Sequence, residues 1–323
     1  MQPSLVEVPL ALPLGTFLCN WLLWSVLTAS TVDRFVRVVQ ALSPARRSSW
    51  LLVFALYPLA VSAAITLVVC TPSLSAVVID VHCHAGACGG HVPELREPLV
   101  TAEYITFGAS LLLCVVAGVI GAAAWRGAHL TRMLALLARP HGQRPYDVLE
   151  SPAVLACCVG ILRPSIVLSR GLVESVTPAQ LNVVLLHEQA HRVRLDNLRL
   201  LAAALATWPW PAILRVRLLT ELRLAAELSC DEGVARAVGA PNLVIYTILT
   251  VESCRDDAAP GAMAQAQCED RSLRERIATL AAGRDYGAPV PPSLAMLAPM
   301  VVVQIVLVAN AMHHMTEALV KLM

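Results

Sequence analysis

The sequence predicts a mainly α-helical, polytopic membrane protein with about four transmembrane helices and one large α+β domain between the third and the fourth. Of its 323 residues, 57% are hydrophobic and 15% are charged, whereas soluble domains have about 45–50% and about 25%. The mean hydropathy is +0.66. The other two observations are four long apolar stretches and a concentration of arginine, since eighteen of the 24 basic residues lie between 126 and 292.

Each of the four apolar stretches is long enough to cross the roughly 30 Å hydrocarbon core of a bilayer. They cover residues 10–31, 50–70, 105–124 and 294–311. Pro58 in the second stretch predicts a kink. A weaker stretch at 198–214 is interrupted by the sequence Trp-Pro-Trp-Pro, so we expect it either in the membrane interface or as a hairpin against the other helices.

The charges between the spans predict their orientation, because loops rich in arginine stay in the cytoplasm. Residues 33–48 carry four arginines against one aspartate, whereas 71–104 carry one arginine against four acidic residues. The first segment is therefore expected inside and the second outside, with both termini outside. The predicted division is a three-span region with an outer loop (1–125), a cytoplasmic domain (126–292), and the fourth span with a short outer tail (293–323).

One motif in the cytoplasmic domain indicates metal chemistry. His187 and His191 stand four residues apart in a His-Glu-x-x-His sequence, so on a helix both imidazoles share one face and can bind one zinc ion. Glu188 lies beside them, where it can take a proton from an attacking water and pass it to a leaving amine. The sequence Thr-Pro-Ala-Gln at 177–180 is a capping box that starts this helix.

The third ligand is expected from a second helix, because catalytic zinc sites usually have three protein ligands and one open position. Residues 218–238 predict a helix that contains Glu227, which can complete a His-His-Glu site. Two alternatives stay open at this level. Glu227 can be a solvated carboxylate paired with Arg223, and Glu221 is a weaker candidate for the ligand.

Two aspartates are candidates for holding the ligand imidazoles in place. Asp231 follows Glu227 by one helical turn, and Asp196 follows His191 by five residues. A carboxylate that accepts the second ring N–H of a ligand histidine fixes its orientation. We therefore expect Asp231 and Asp196 to be supporting residues of the site.

Residues 152–231 resemble the metallopeptidase domain of the BlaR/MecR-type antirepressors, which are membrane zinc proteases of the gluzincin type. The matching segments are ILRPSIVLSRGLV at 161–173, TPAQLNVVLLHEQAHRVRLDN at 177–197, TWPWP at 207–211 and ELSCDEGVAR at 227–236. The resemblance implies a zincin-like domain in the bacterial inner (plasma) membrane and zinc (Zn2+) as the cofactor. It also implies that His187, His191 and Glu227 are the zinc ligands and that Glu188 is the general base.

The resemblance also implies a function in signal transduction. Such an endopeptidase cleaves or inactivates a BlaI-like winged-helix repressor, so that genes for antibiotic resistance or stress are expressed. The sequence is similar, more distantly, to the HtpX-like proteases, which makes membrane-protein quality control an alternative. Another alternative is a non-proteolytic receptor that uses the domain to bind a partner.

The expected partners are a protein substrate, the lipid bilayer, and either a sensor partner or a second copy of the chain. A net charge of +1 gives no reason to expect direct binding to nucleic acid. Lys321 is the only lysine, which excludes a GK[ST] phosphate loop and an acylatable SxxK serine. We therefore expect a short form without the penicillin-binding sensor domain that β-lactam receptors of this family carry.

Two further segments are singled out by their residue pattern. Residues 153–159 and 165–169 predict short strands ahead of the His-Glu-x-x-His helix. One of them is either an edge strand that holds an extended substrate by strand addition or simply part of the core.

The outer loop is the other segment, because residues 79–94 contain three histidines and two cysteines. These are His82, Cys83, His84, Cys88 and His91. A Cys83–Cys88 disulfide, binding of a soft metal such as copper or zinc, and a loop without special chemistry all stay open. The other eight cysteines are expected to behave as small apolar residues.

Overall fold

The structure, a computed structural model, describes residues 11–84, 87–89, 138–140, 145–256, 263–283, 294 and 297–322, with isolated positions between 111 and 133. The described part is mainly helical with small sheets, as predicted. The helices are α1 (Ala11–Ser30), α2 (Val32–Val39), α3 (Pro44–Cys70), α4 (Pro72–Val78), α5 (Arg170–Ser175), α6 (Pro178–Arg194), α7 (Asp196–Ala206), α8 (Ala212–Val238), α9 (Pro241–Asp256), α10 (Met263–Ala282) and α11 (Leu297–Leu322). The strands are β1 (His82–His84), β2 (Ala87–Gly89), β3 (Ala138–Pro140), β4 (Asp147–Leu149), β5 (Ala156–Val159) and β6 (Ser165–Ser169).

One helix of the described residues, α3, is long and apolar enough to cross a membrane. It continues through Pro58 as a single helix. The apolar stretch of α11, Pro299–Met315, is shorter. Most of the third predicted span, 105–124, lies outside the described residues, so the four crossings and their orientation stay predictions.

The C-terminal helix α11 packs against α3 and α4. The buried apolar residues of this contact are Val61, Ile65, Val69, Ile79 and Ala309. Beside them the Asn310 side chain donates to the Val78 carbonyl at 3.0 Å and accepts from the Asp80 N–H at 2.8 Å. These bonds fix α11 to the chain segment that follows the C-terminal end of α3.

A four-stranded sheet with the order β3-β4-β6-β5 lies next to α6. β4 and β6 are parallel, whereas β5 is antiparallel to β6 and forms an edge of the sheet. Ile166 and Leu168 of β6 pack against Val184 of α6. The two strands predicted before the His-Glu-x-x-His helix are thus confirmed, although the first is shorter than predicted.

Helix α6 begins at the predicted capping box and ends at an unusual residue. The Gln180 N–H donates to Thr177 Oγ1 at 3.3 Å, and the Thr177 N–H donates to Gln180 Oε1 at 3.0 Å. At the other end Leu195 has φ 53° and ψ 44°, a left-handed conformation that is strained for a residue with a side chain. This turn starts α7 at Asp196 and brings that residue back beside α6.

The segment 198–214 forms a hairpin of α7 and α8 against α3, which is one of the two placements predicted from the sequence. Trp210 in the turn is buried, and its ring meets the Phe54 ring of α3 edge-on with 5.9 Å between centroids. Leu218 and Leu222 of α8 belong to the same buried cluster. The helix that carries Glu227 and Asp231 is therefore packed directly against α3.

Gly171 allows α5 to pass close to the loop before β5. A Cβ atom at this position would lie 2.1 Å from the Pro152 carbonyl oxygen, so Gly171→Ala is expected to destabilise the protein by about 1–3 kcal/mol. Gly233→Ala is the matched control, because nothing lies within 4 Å of its added Cβ in α8 and alanine favours helix by about 1 kcal/mol over glycine. Thermal unfolding in detergent measures both, and equal shifts would contradict the steric argument.

Candidate metal centre

Three side-chain donors from two helices meet at one point. The Nε2 atoms of His187 and His191 on α6 are 3.1 Å apart. Glu227 of α8 places Oε2 3.3 Å from His187 Nε2 and Oε1 3.4 Å from His191 Nε2. The structure thus brings together the three residues that the sequence predicts as metal ligands.

Each imidazole is held on its other side by a carboxylate. His187 Nδ1 lies 2.9 Å from Asp231 Oδ1, and His191 Nδ1 lies 2.8 Å from Asp196 Oδ2. A carboxylate accepts the proton of Nδ1, which leaves the lone pair of Nε2 for a metal. The two aspartates therefore occupy the positions that the sequence predicts for supporting residues.

The three donors require a positive charge between them, because two Nε2 lone pairs and a carboxylate repel one another at these distances. Burial lowers the pKa of His187, but hydrogen bonds to Asp231 and Glu227 outweigh it and raise this pKa to about 10. Burial also lowers the pKa of His191, yet this pKa is raised overall. Burial raises the pKa of Glu227, but the imidazoles hold it well below its usual value.

The triangle of donors fits a tetrahedral zinc ion. Zinc–ligand distances of about 2.0–2.1 Å in a tetrahedron put neighbouring donors about 3.3–3.4 Å apart. The two Nε2 atoms are 3.1 Å apart, and each lies 3.3 or 3.4 Å from one of the two Glu227 oxygens, either of which can be the third donor. Three protein ligands leave the fourth position open, as in catalytic rather than structural zinc sites.

An arginine that sequence reasoning missed completes the centre. Arg276 of α10 donates to both oxygens of Asp231 at 2.6 and 2.9 Å, and its Nη1 lies 3.5 Å from Glu227 Oε2. Burial raises the pKa of Asp231, but the Arg276 charge and its hydrogen bonds lower it below the usual value. Arg276 therefore keeps the Asp231 carboxylate ionised and aimed at His187.

Glu188 lies in a cleft that opens over the metal centre. Its side chain is 8% exposed, and burial raises its pKa although the charges of both histidines oppose this. A raised pKa suits a group that must take up and release a proton near neutral pH. The cleft has a volume of about 410 Å³ and lies between β5, with Cys157, and α9, with Ile248.

Strand β5 presents its open edge to this cleft. The Leu155 carbonyl accepts from the Ser169 N–H at 2.8 Å, and the alternation of an antiparallel pair then turns the backbone of Ala156 and Cys158 away from β6. The side-chain amide of Asn197 on α7 donates a hydrogen bond to the outward carbonyl of Cys158 at 2.8 Å. Ala156 N–H, Ala156 C=O and Cys158 N–H remain facing outward at this edge.

The alternative candidates from the sequence lie elsewhere. Glu221 is buried against Arg47 of α3, with Arg271 at 3.5 Å, so it is not at the metal centre. Glu227 pairs with the imidazoles and with Arg276. The described contacts therefore do not support its alternative pairing with Arg223.

The residues of the predicted outer loop are not among the described residues that form or line the metal centre. In the β1–β2 hairpin Cys83 stands opposite Cys88, and Cys83 is disulfide-bonded. This favours the disulfide over a thiolate metal ligand among the alternatives for the loop. His91 lies outside the described residues.

Removing the carboxylate behind His187 should weaken metal binding without removing a ligand. Asp231→Asn is expected to lower zinc affinity about 10–100-fold, because the ring loses its fixed tautomer and orientation. Glu232→Gln is the matched control, since Glu232 is the next residue of α8 and pairs with the exposed Arg236. Competition with a chromogenic chelator measures both variants, and equal affinities would contradict the role of Asp231.

Two histidines from one helix, a glutamate from a second and a buried glutamate in an adjoining cleft form a candidate metallopeptidase site. The chain matches the family model described as BlaR1 peptidase M56 over residues 105–280, and it belongs to that family. The predicted resemblance is thus confirmed, and with it a metallopeptidase of a typically membrane-associated family. Comparison with curated proteins and with solved structures gave no match.

Proposed function

We propose that the chain is a membrane-embedded zinc endopeptidase that transmits a signal, and that its substrate is a BlaI-like winged-helix repressor. The family supports the metallopeptidase, and the donor triangle supports zinc. The repressor follows from the resemblance to the antirepressors. In this proposal α3 and α11 lie in a bacterial inner membrane, the metal centre faces the cytoplasm, and a sensor partner or a second copy supplies the signal.

The cleft supports an endopeptidase mechanism. A bound zinc ion supplies Lewis-acid activation of water and of the scissile carbonyl. Glu188 takes the proton from the attacking water and gives it to the leaving amide nitrogen. Glu188 is therefore back in its starting protonation state once the peptide bond is broken. The outward backbone of Ala156 and Cys158 holds the substrate in an extended form beside the metal, by strand addition.

The observation that carries the signalling part is a pair of polar connections from the first turns of α3 to the metal ligands. In the first, Arg194 donates to Ser48 Oγ at 3.2 Å and to Asp196 Oδ2 at 3.2 Å. Asp196 in turn holds His191 at 2.8 Å. Three contacts therefore link Ser48 to one ligand imidazole.

The second connection starts at the neighbouring residue of α3. Arg47 contacts Glu275 of α10 at 3.1 Å, and the next residue, Arg276, holds Asp231 and through it His187. We call the two together the α3 connection, defined by Arg47, Ser48, Arg194, Glu275 and Arg276. A shift of α3 by 1–2 Å is the scale of helix movements in switching proteins. It would break the Ser48–Arg194 and Arg47–Glu275 contacts, through which α3 reaches the supports of both ligand histidines. A quality-control protease has no need of such a link.

The deciding experiment is an immunoblot of a candidate repressor in cells that carry the wild-type protein or Glu188→Gln. The variant removes the general base and keeps all three ligands, so we expect zinc content to stay the same and repressor loss after induction to disappear. Induced signalling that persists in Glu188→Gln would favour a non-proteolytic receptor. Degradation of casein by the wild-type protein, with the repressor left intact, would favour quality control.

A further inference from the structure

A second group of ligand-type side chains lies on α11, away from the metal centre. The ligand atoms of His313, His314 and Glu317 all lie within 4.8 Å of one another. His313 Nε2 and Glu317 Oε1 are 3.1 Å apart. Glu317 is four residues after His313 and three after His314, so one helical turn brings its carboxylate near both imidazoles.

This group is buried beside apolar packing. The side chain of His313 is fully buried and that of Glu317 is 11% exposed. Ala309 and Met312, just before them on α11, belong to the apolar cluster with α3. Ionisable groups next to an apolar stretch of this kind are unfavourable unless their charges are compensated, and they mark ion or ligand sites in membrane proteins.

The fold brings the Cys/His hairpin to the same end of α11. Asn310, one turn before His313, binds the backbone of Val78 and Asp80, and β1 begins two residues after Asp80.

We propose that His313, His314 and Glu317 bind one divalent transition-metal ion. Two imidazoles and a carboxylate suit Zn2+ and Cu2+. Zinc requires donors about 3.3 Å apart. His314 lies at the surface. Core packing therefore does not oppose a change of rotamer that brings its ring toward His313 and Glu317.

The new site and the catalytic centre lie at opposite ends of α3. The α3 connection is at the start of that helix, whereas α11 is fixed to the segment that follows its C-terminal end. A helix of 27 residues is about 40 Å long. The two sites therefore share no ligand, and the proposal stands whether or not the catalytic metal cleaves a repressor.

The test counts metal bound to the full-length protein in detergent, after removal of metal with a chelator and titration with Zn2+. The wild-type protein should bind two equivalents. His314→Ala and the conservative Glu317→Gln should each weaken one equivalent more than about tenfold, whereas Met315→Ala, an exposed neighbour on the same turn, should change neither. His187→Ala should remove the other equivalent and leave this one.

Circular dichroism of each variant shows whether it is folded, so that lost binding is assigned only to folded protein. Two equivalents in the wild type, with one lost in both folded α11 variants, support the site. A single equivalent in the wild type, or a second equivalent that persists with unchanged affinity in both folded variants, overturns it.

Discussion

Glu227→Ala is expected to abolish peptidase activity and to lower zinc affinity more than about 100-fold, which exceeds the effect of losing a supporting residue. The carboxylate supplies one of three protein donors, at 3.3 and 3.4 Å from the two imidazoles. Its removal leaves two histidines and the Arg276 guanidinium, whose Nη1 is 3.5 Å from Glu227. That cation then repels a metal ion without a carboxylate between them.

Two carboxylate variants separate the role of Glu227 from a general effect of charge. Glu188→Gln should lose peptidase activity by about 10²–10⁴-fold and keep zinc, because it removes the base only. Glu232→Gln, on the same helix and outside the centre, should keep both. Zinc content after dialysis and cleavage of a peptide substrate measure the three variants side by side. Wild-type zinc affinity in Glu227→Ala would mean that another residue is the third ligand.

Arg47→Ala should lower the free energy of unfolding by about 3–5 kcal/mol, because it breaks a buried ion pair by removing one partner. The side chains of Arg47 and Glu221 are 6% and 2% exposed. After the change the Glu221 carboxylate keeps only Arg271 at 3.5 Å among the cations described near it, and Arg271 is largely exposed. Thermal or denaturant unfolding in detergent measures the loss.

The control is Arg46→Ala, which changes an exposed arginine on the same turn of α3 and should stay within about 0.5 kcal/mol of wild type. The double variant Arg47→Met/Glu221→Leu should recover most of the stability, because apolar residues can replace a buried ion pair. It should not recover induced repressor loss, since the Arg47–Glu275 branch of the α3 connection is still broken. Full induction in a stable double variant would contradict a signalling role of Arg47.

Much of the centre is readable from sequence because its chemistry is local. His187, Glu188 and His191 lie within one and a half turns of a helix whose start is marked by its capping box. Asp231 follows Glu227 by four residues, so one turn of a second helix places ligand and support together. Residues at this spacing lie on the same face of a helix wherever the helix forms.

The features of the centre that the sequence does not predict depend on contacts between distant segments. Arg276 is 45 residues from Asp231 in sequence, and Arg194 is 146 residues from Ser48. Contacts between residues so far apart produce no periodic pattern in the sequence. The strained Leu195, which turns Asp196 toward His191, is also unmarked, because a leucine does not indicate a left-handed conformation. The first two features depend on how helices that are distant in the sequence pack together.

The Asn197 side chain limits what can pair with β5. Its amide donates hydrogen bonds to the carbonyls of Cys158 and Gly160. Within the described residues, an added strand therefore finds free backbone groups to pair with over about three residues of β5. Such a short edge protects the protein from pairing with the long exposed strands of misfolded chains. In the proposed function, this edge pairs with a polypeptide only where that chain is already extended and locally unpaired, as in a linker between two folded domains.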